Sequence, residues 1–351
     1  MKSPRILPLH IGGTIASSAS SSGLKPKLSF MDLLNRIDKG IIENYFIAEA
    51  LSPFGEHGID SASMQLPNIQ KIADMIRVNY DEYDGFVITH GTDTLAYTAS
   101  MLAFMLRGIQ KTVIVTGAQR TLEDKNSDVV SNLETALLAA VTPNCGVWVA
   151  FNESVIKAVR STKNDISVNC SDAFISNIRD EIHIFDFQRN DYAVNKGQME
   201  RFSTKVSDAV DIFCLTHTTD AVCLKNYLDN SNCKALIVLI YGMSGHRIEL
   251  IDVLSRWAAG NGTVVIAKAH PTFGSTDLSK YELGVDALKM GIISSLDMTL
   301  ESTYAKTCHL FAQGIDLQEF CNQFYSNYCG EIDEAGVKKF RIKANYWLST
   351  L

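Results

Sequence analysis

The sequence predicts an α/β fold of two domains with mostly parallel sheets, a larger N-terminal domain and a smaller C-terminal one. Three observations carry that expectation. Apolar runs of strand length alternate with helix-period segments through the first half, the pattern of parallel strands joined by crossover helices. A polar stretch from about Asp186 to Asp208 interrupts the alternation, which then starts again. The 351 residues also exceed the usual size of one domain. The expected boundaries are 1–187 for an N-terminal domain carrying the catalytic loops, 188–210 for a linker and 211–351 for a C-terminal domain.

The elements follow in order. Met1 to Arg5 is basic and Ile6 to Ile11 apolar, but the run is short, holds Pro8 and His10, and leads straight into a glycine loop. A first buried strand over 6–9 fits better than a signal peptide. Ser17 to Ser22, with Gly23 next, is expected as a mobile loop. A helix is expected over 64–78, with Ile69, Ile72, Ala73 and Ile76 at helical spacing. Buried strands are expected over 85–89, 112–116, 145–151 and 155–158, and helices over 94–107 and 128–141. The second half predicts strands over 211–216, 235–241 and 263–267. A helix over 248–259 ends at Gly260 as a C-cap, and late helices cover 284–290, 300–313 and 317–328.

At 46% hydrophobic and 20% charged, the chain is an ordinary globular protein. Its net charge of −7 argues against general binding to nucleic acid or to a membrane surface, either of which favours a basic face. No apolar run reaches the roughly 18 residues of a membrane span. Eight cysteines, at 145, 170, 214, 223, 233, 308, 321 and 329, form no CxxC pair. They are expected as reduced, mostly buried thiols of a cytoplasmic protein, with Cys214 and Cys308 in apolar runs. The histidines show no ligand spacing with them, so no metal is expected. Neither GxGxxG nor GxxxxGK[ST] occurs, which disfavours a nucleotide-binding protein.

Two loops carry hydroxyls beside glycine. Thr14 lies in Ile11-Gly12-Gly13-Thr14-Ile15-Ala16-Ser17 and Thr92 in His90-Gly91-Thr92-Asp93-Thr94. Each follows an apolar strand, so both are expected at the carboxyl ends of a parallel sheet, where ligands bind. Gly-Gly-Thr alone is also what a tight turn with a helix cap looks like. Thr94 is expected as the N-cap of the following helix. Asp93 is costly unless paired. Lys163, in Arg160-Ser161-Thr162-Lys163-Asn164, is either a solvated surface lysine or turned inward beside Asp93. In the second case it orients Thr92 and lowers the effective pKa of that hydroxyl. In Asp60-Ser61-Ala62-Ser63-Met64, Ser63 suits a helix cap and Ser61 a ligand.

Taken together, these segments resemble the bacterial-type asparaginase/glutaminase family. The matches are GGTIAS at 12–17, Asp60-Ser61 with Ser63-Met64, and DGFVITHGTDT at 84–94. Others are Gly117-Ala118-Gln119 with Ser127-Asp128 and Asn132-Leu133, and Arg160 to Lys163 with Asp172-Ala173-Phe174. Gly291-Ile292-Ile293-Ser294, leading to Asp297-Met298-Thr299-Leu300-Glu301, matches in the C-terminal half. Order and spacing are similar to the type I, cytosolic branch, notably over Asp93 to Ser100. The resemblance implies hydrolysis of the side-chain amide of L-asparagine without a cofactor. Thr14 attacks the amide carbon to form an acyl-enzyme that water cleaves. Thr92 positions water or assists attack, supported by Lys163 and Asp93. Asp93 binds the substrate α-amino group and Ser61 the α-carboxylate, and Asp60 and Thr92 are the further substrate-binding residues implied. Self-association as a dimer or tetramer is also implied.

The chain departs from the family pattern in places. Gly23-Leu24 stands where many members carry a glycine and the tyrosine that activates the nucleophilic threonine. Three accounts stay open: another phenol, with Tyr281 the first choice, fills the role; the loop acts only as a lid; or the protein binds asparagine or aspartate without turnover. Ile11 replaces the usual Thr or Ser before Gly-Gly. Tyr241-Gly242-Met243-Ser244-Gly245-His246 replaces the common Gly-Asn-Ala-Pro, and Ala269-His270-Pro271 replaces Gln-Cys. A second asparagine acts as activator near that last segment in some type I enzymes, and the change argues against such a site here. The asparaginase-like component of archaeal-type Glu-tRNA amidotransferase carries an extra N-terminal module, for which the residues before Gly12 leave no room.

Overall fold

The computed structural model describes residues 3–167, 173–192, 202–243 and 247–349. They fall in two compact units, 1–204 and 205–351.

In the first unit the strands are β1 (Arg5–His10), β2 (Ser17–Ser20), β3 (Gly23–Pro26), β4 (Phe46–Ile47), β5 (Gly85–Thr89), β6 (Thr112–Thr116), β7 (Gly146–Phe151), β8 (Ser154–Lys157), β9 (Ser161–Lys163), β10 (Phe174–Ser176) and β11 (Ile182–His183). Among the described residues one sheet runs β11-β8-β7-β6-β5-β1-β4. From β4 to β7 it is parallel, and β8 and β11 add an antiparallel edge. Helices Leu66–Val78, Leu95–Met105 and Val129–Ala140 make the crossovers between parallel strands.

The local sequence explains these elements. GFVIT in β5 and TVIVT in β6 are uninterrupted apolar or β-branched runs, buried at every residue, as strands covered on both faces must be. Helix Leu95–Met105 is buried at every position except Tyr97, so it is apolar all round rather than amphipathic. Ile6, Val87, Ile114 and Trp148 of the sheet share a core with Leu133, Ala136 and Leu137 of Val129–Ala140.

The chain leaves β1 for β4 on one side of the sheet and leaves β5 for β6 on the other. The direction of winding reverses between β1 and β5. Such a reversal opens a crevice at the carboxyl ends of the strands.

In the second unit, β12 (Val210–Cys214), β13 (Ala235–Ile240), β14 (Val264–Ala269) and β15 (Ile293–Ser294) form a parallel sheet in that order. Leu236, Val238 and Val265 pack with Leu224 and Leu228 of helix Ala221–Asp229 and with Leu250 and Leu254 of helix Ile248–Asn261. A fully buried ion pair, Lys306 Nζ to Glu331 Oε1 at 2.5 Å, ties the 326–331 segment to helix Leu300–Phe311. Glu331 also accepts the N–H groups of Tyr328 and Cys329.

Several expectations are corrected. Ser17 to Ser22, expected as a mobile loop, holds strand β2 and the turn after it: β2 and β3 pair as an antiparallel hairpin, with Ala19 opposite Leu24. Gly260 is not the helix cap. The helix runs on to Asn261 and closes at Gly262, whose φ of 60° is the left-handed conformation that glycine tolerates. Helix Ile184–Arg189 runs past the domain end expected at 187, and residues 193–201 of the expected linker lie outside the described residues. Among the described cysteines only Cys308 and Cys329 are buried, while Cys214 and Cys223 are exposed. Cys214 lies in an apolar run, but β12 is an edge strand with one side open. Cys170, Asp172 and Ser244 to His246 lie outside the described residues.

Candidate active site

The loops that leave β1, β5 and β6 start side by side. Ile11 N–H donates to the Thr89 carbonyl at 3.0 Å, and His90 N–H to the Thr116 carbonyl at 2.7 Å. The segment after β4 is drawn in too: Ile59 N–H donates to Ile11 O at 2.8 Å and Gly13 N–H to Ile59 O at 3.0 Å. Two glycines permit this convergence. Gly13 has φ +82°, and a Cβ there would lie 2.1 Å from Gly91 Cα. A Cβ on Gly91 would lie 2.5 Å from Ser61 Oγ. Gly13, Gly91 and Ser61 therefore pack in contact, with Thr14 and Thr92 each one residue beyond.

Thr92 is buried, and its hydroxyl accepts a hydrogen bond from Lys163 Nζ at 2.9 Å. The same ammonium donates to Asp93 Oδ1 at 2.7 Å. Lys163 is held by the β9–β10 hairpin, opposite buried Phe174, whose ring packs 5.0 Å from that of Phe151. The Lys163 side chain is 16% exposed and that of Asp93 66%. A pair this open to solvent adds little to stability. What it does is aim a cation at the Thr92 oxygen, leaving the hydroxyl proton free to be donated elsewhere.

Ser61, also buried, opens a short turn over Ser61–Ser63. Asp60 caps that turn, its Oδ1 accepting Ala62 N–H at 2.9 Å. Ser63, expected as a helix cap, lies within the turn, and the helix that follows begins at Leu66 with Gln65 at its N-cap. The expected capping role of Thr94 is likewise corrected. It holds the N-cap position, but its hydroxyl makes no cap and donates to the Ser61 carbonyl at 2.9 Å. The bond holds the Ser61 turn against the Thr92 loop.

Thr14 begins the turn Thr14–Ala16 and is half-buried. Among the described residues of this unit no side chain hydrogen-bonds its hydroxyl. Ser17 Oγ donates to Gly13 O at 2.8 Å and steadies the turn. Leu24 lies on β3, 58% exposed. Tyr281 belongs to the second unit, where it is 53% exposed and stands immediately before helix Glu282–Lys289.

Sequence reasoning passed over the groups beneath these loops. His90 is fully buried, and its Nδ1–H donates to Gly91 O at 2.7 Å. Burial pushes its pKa down to about 4, so near neutral pH it is an uncharged brace for the loop. His10 Nε2 donates to Leu28 O at 3.1 Å, which leaves Nδ1 to accept the Thr89 hydroxyl at 2.8 Å. Burial lowers its pKa as well. Each histidine ends or follows an apolar strand, which signals burial, but the sequence does not show its partner.

The β6 loop supports the site from the other side. Asp128 accepts the N–H groups of Gln119 and Arg120, both at 2.9 Å, and Asn132 Nδ2 donates to Gly117 O at 2.9 Å. Gln119 Nε2 donates to Asp165 O at 3.0 Å, two residues past Lys163. Among the described residues no group of three or more His, Cys, Asp or Glu side chains is placed to hold a metal. No helix there is long and apolar enough to cross a membrane.

The fold and these loops define a two-domain protein with a hydroxyl-and-lysine site at the switch point of its first sheet. Family models agree: Asparaginase, N-terminal, matches residues 5–198, and Glutaminase/Asparaginase C-terminal domain matches 209–324. The chain belongs to the asparaginase family. It is 31% identical over 351 residues to the L-asparaginase of Thermococcus kodakarensis, covering 93% of this chain and 99% of that protein. It is equally similar, 31% over 345 residues, to L-asparaginase 1 of Escherichia coli K12, covering 95% and 99%. It is also 28% identical over 344 residues to a Glutamyl-tRNA(Gln) amidotransferase component of T. kodakarensis, covering 94% of this chain and 76% of that polypeptide. The solved structure of the thermostable L-asparaginase from T. kodakarensis superimposes with a TM-score of 0.80 at 30% identity, covering 94% and 99%. L-asparaginase I from Vibrio cholerae gives 0.78 at 28%, covering 95% and 100%.

Proposed function

We propose that this chain is a cytoplasmic L-asparaginase, an amidohydrolase that releases ammonia from the side chain of L-asparagine through an aspartyl-threonine ester. The observation that carries this reading is the chain Asp93–Lys163–Thr92 on a loop whose Gly91 packs on Gly13, beside Thr14. The Thr14 oxygen attacks the amide carbon, the C–N bond breaks, and the nitrogen leaves as ammonia with the threonine proton. Water then cleaves the ester, giving aspartate and restoring the hydroxyl. A threonine hydroxyl is a weak nucleophile and needs activation. Thr92, held by Lys163, positions the water or assists attack, and Tyr281 is the proposed phenol that takes the place left by Leu24. Backbone N–H groups of the Thr92 loop stabilise the oxyanion. Asp93 pairs with the substrate ammonium, Ser61 binds the α-carboxylate, and Asp60 and Thr92 complete the substrate contacts. The protein works as a dimer or tetramer and needs no cofactor.

The test is ammonia release from L-asparagine and L-glutamine by the wild type and by Thr14→Ala. The reading requires release with asparagine and its loss in the variant. Full activity in Thr14→Ala, or none in the wild type, overturns it. Preference between the two substrates rests on about 1–3 kcal/mol of pocket fit per methylene.

Leu24, exposed on the hairpin and unable to exchange a proton, favours a second reading: an asparagine- or aspartate-binding relative with little or no turnover. Calorimetry separates the two, because binding heat without ammonia release supports only the second.

A further inference from the structure

The carboxyl end of the second sheet carries chemistry-bearing side chains that the proposed hydrolysis does not use. Cys214 closes β12 and His270 directly follows β14. They reach toward each other across the end of β13, with Cys214 Sγ 3.7 Å from His270 Nε2. Both are exposed. The His270 backbone is fixed by its own N–H, which donates to Ile240 O at 2.9 Å, and the imidazole ring lies nearly parallel to that of Tyr241, centroids 6.1 Å apart. Tyr241 is held in turn by His217, whose Nδ1 is 3.0 Å from the phenol oxygen. A nucleophile within reach of a base, and a base oriented by a third group, is the arrangement that activates a thiol.

Other described cysteines lack these conditions. Burial pushes the thiols of Cys145, Cys233 and Cys321 up, and that of Cys308 up to about 12. Cys329 is buried. Cys223 is exposed, and among the described residues no side chain hydrogen-bonds its thiol.

We propose that Cys214 and His270 form a thiol–imidazole pair that exchanges with low-molecular-weight disulfides, making Cys214 the site of redox modification in this chain. His270 Nε2 takes the thiol proton, and the Cys214 sulfur attacks one sulfur of the disulfide. The new S–S bond forms as the old one breaks, and the departing thiolate takes the proton from the imidazolium. One disulfide and one protein thiol give one mixed disulfide and one free thiol, and added thiol reverses the step.

The test uses the full chain, oxidised glutathione at pH 7.5 and peptide mass spectrometry over time. Cys214 should acquire one glutathionyl group at least about tenfold faster than Cys223, and dithiothreitol should remove it. His270→Gln should slow Cys214 labelling at least about fivefold. An unchanged Cys223 rate in that variant reports an intact fold, and His270→Asn serves in the same way should the first variant fail to fold. Equal rates at Cys214 and Cys223 in the wild type, or an undiminished Cys214 rate in His270→Gln, overturns the proposal.

Discussion

The two parallel sheets end in mouths built on different plans. At the first, glycines let loops touch backbone to backbone, and the polar groups beneath, His10, Thr89 and His90, are buried and hydrogen-bonded. At the second, the space where a Cβ on Gly242 or Gly274 would sit is open, and Cys214, His217, Tyr241 and His270 stand in solvent. A site that must hold two hydroxyls in fixed relation needs a dense floor. A thiol that meets a small reagent from solvent needs only one oriented neighbour.

The largest test of this contrast is Lys163→Met. It removes the cation aimed at Thr92 from a pair that adds little stability, so the melting temperature should barely move while kcat falls about a thousandfold. A kcat within a few fold of wild type would break the account of the first mouth. The second unit also holds a fully buried ion pair, on residues other than those of its mouth. Lys306→Met strands the buried Glu331 carboxylate and should cost about 3–5 kcal/mol in urea denaturation. A smaller loss would mean that water reaches the pair. Gly13→Ala places a methyl against Gly91 at a strained φ and should destabilise by about 2–4 kcal/mol. Gly242→Ala should change stability by less than about 0.5 kcal/mol. Similar values for these two glycines would erase the difference between the mouths.

A smaller effect is expected with pH. The folded pKa of His90 is depressed to about 4, below the ordinary histidine value, so the unfolded chain binds the extra proton between the two. Stability therefore rises with pH across roughly pH 4 to 6.5, and about 2–3 kcal/mol present at pH 7.5 is lost by pH 4.5. His10, lowered in the same direction, adds to the slope. His90→Gln should flatten the urea-midpoint profile over this window, and an unchanged slope would show that His90 is not the group titrating.

How much was legible in the sequence follows the same division. Strands buried on both faces announce themselves as unbroken apolar runs, so β5 and β6 are legible at their observed bounds. Asp93, placed just after such a strand, demands a cation, and Lys163 is a candidate by its place in the chain. Contacts across distant segments are not legible. Thr94 has the chemistry of a helix cap, yet its hydroxyl goes to Ser61, 33 residues away in sequence. An apolar run around Cys214 does not reveal that its strand lies at a sheet edge. Gly260 and Gly262 are equivalent by composition, and only the backbone conformation selects the second. The β2–β3 hairpin is hidden because serine-rich sequence carries no period-two apolar signal.

In the proposed hydrolysis Thr14 is the residue acylated by substrate. Rapid acid quench of the enzyme with L-asparagine, followed by peptide mass spectrometry, tests it directly. The account predicts an aspartyl ester on the peptide containing Thr14, absent in Thr14→Ala. An ester on Thr92 instead, or ammonia release undiminished in Thr14→Ala, would contradict it.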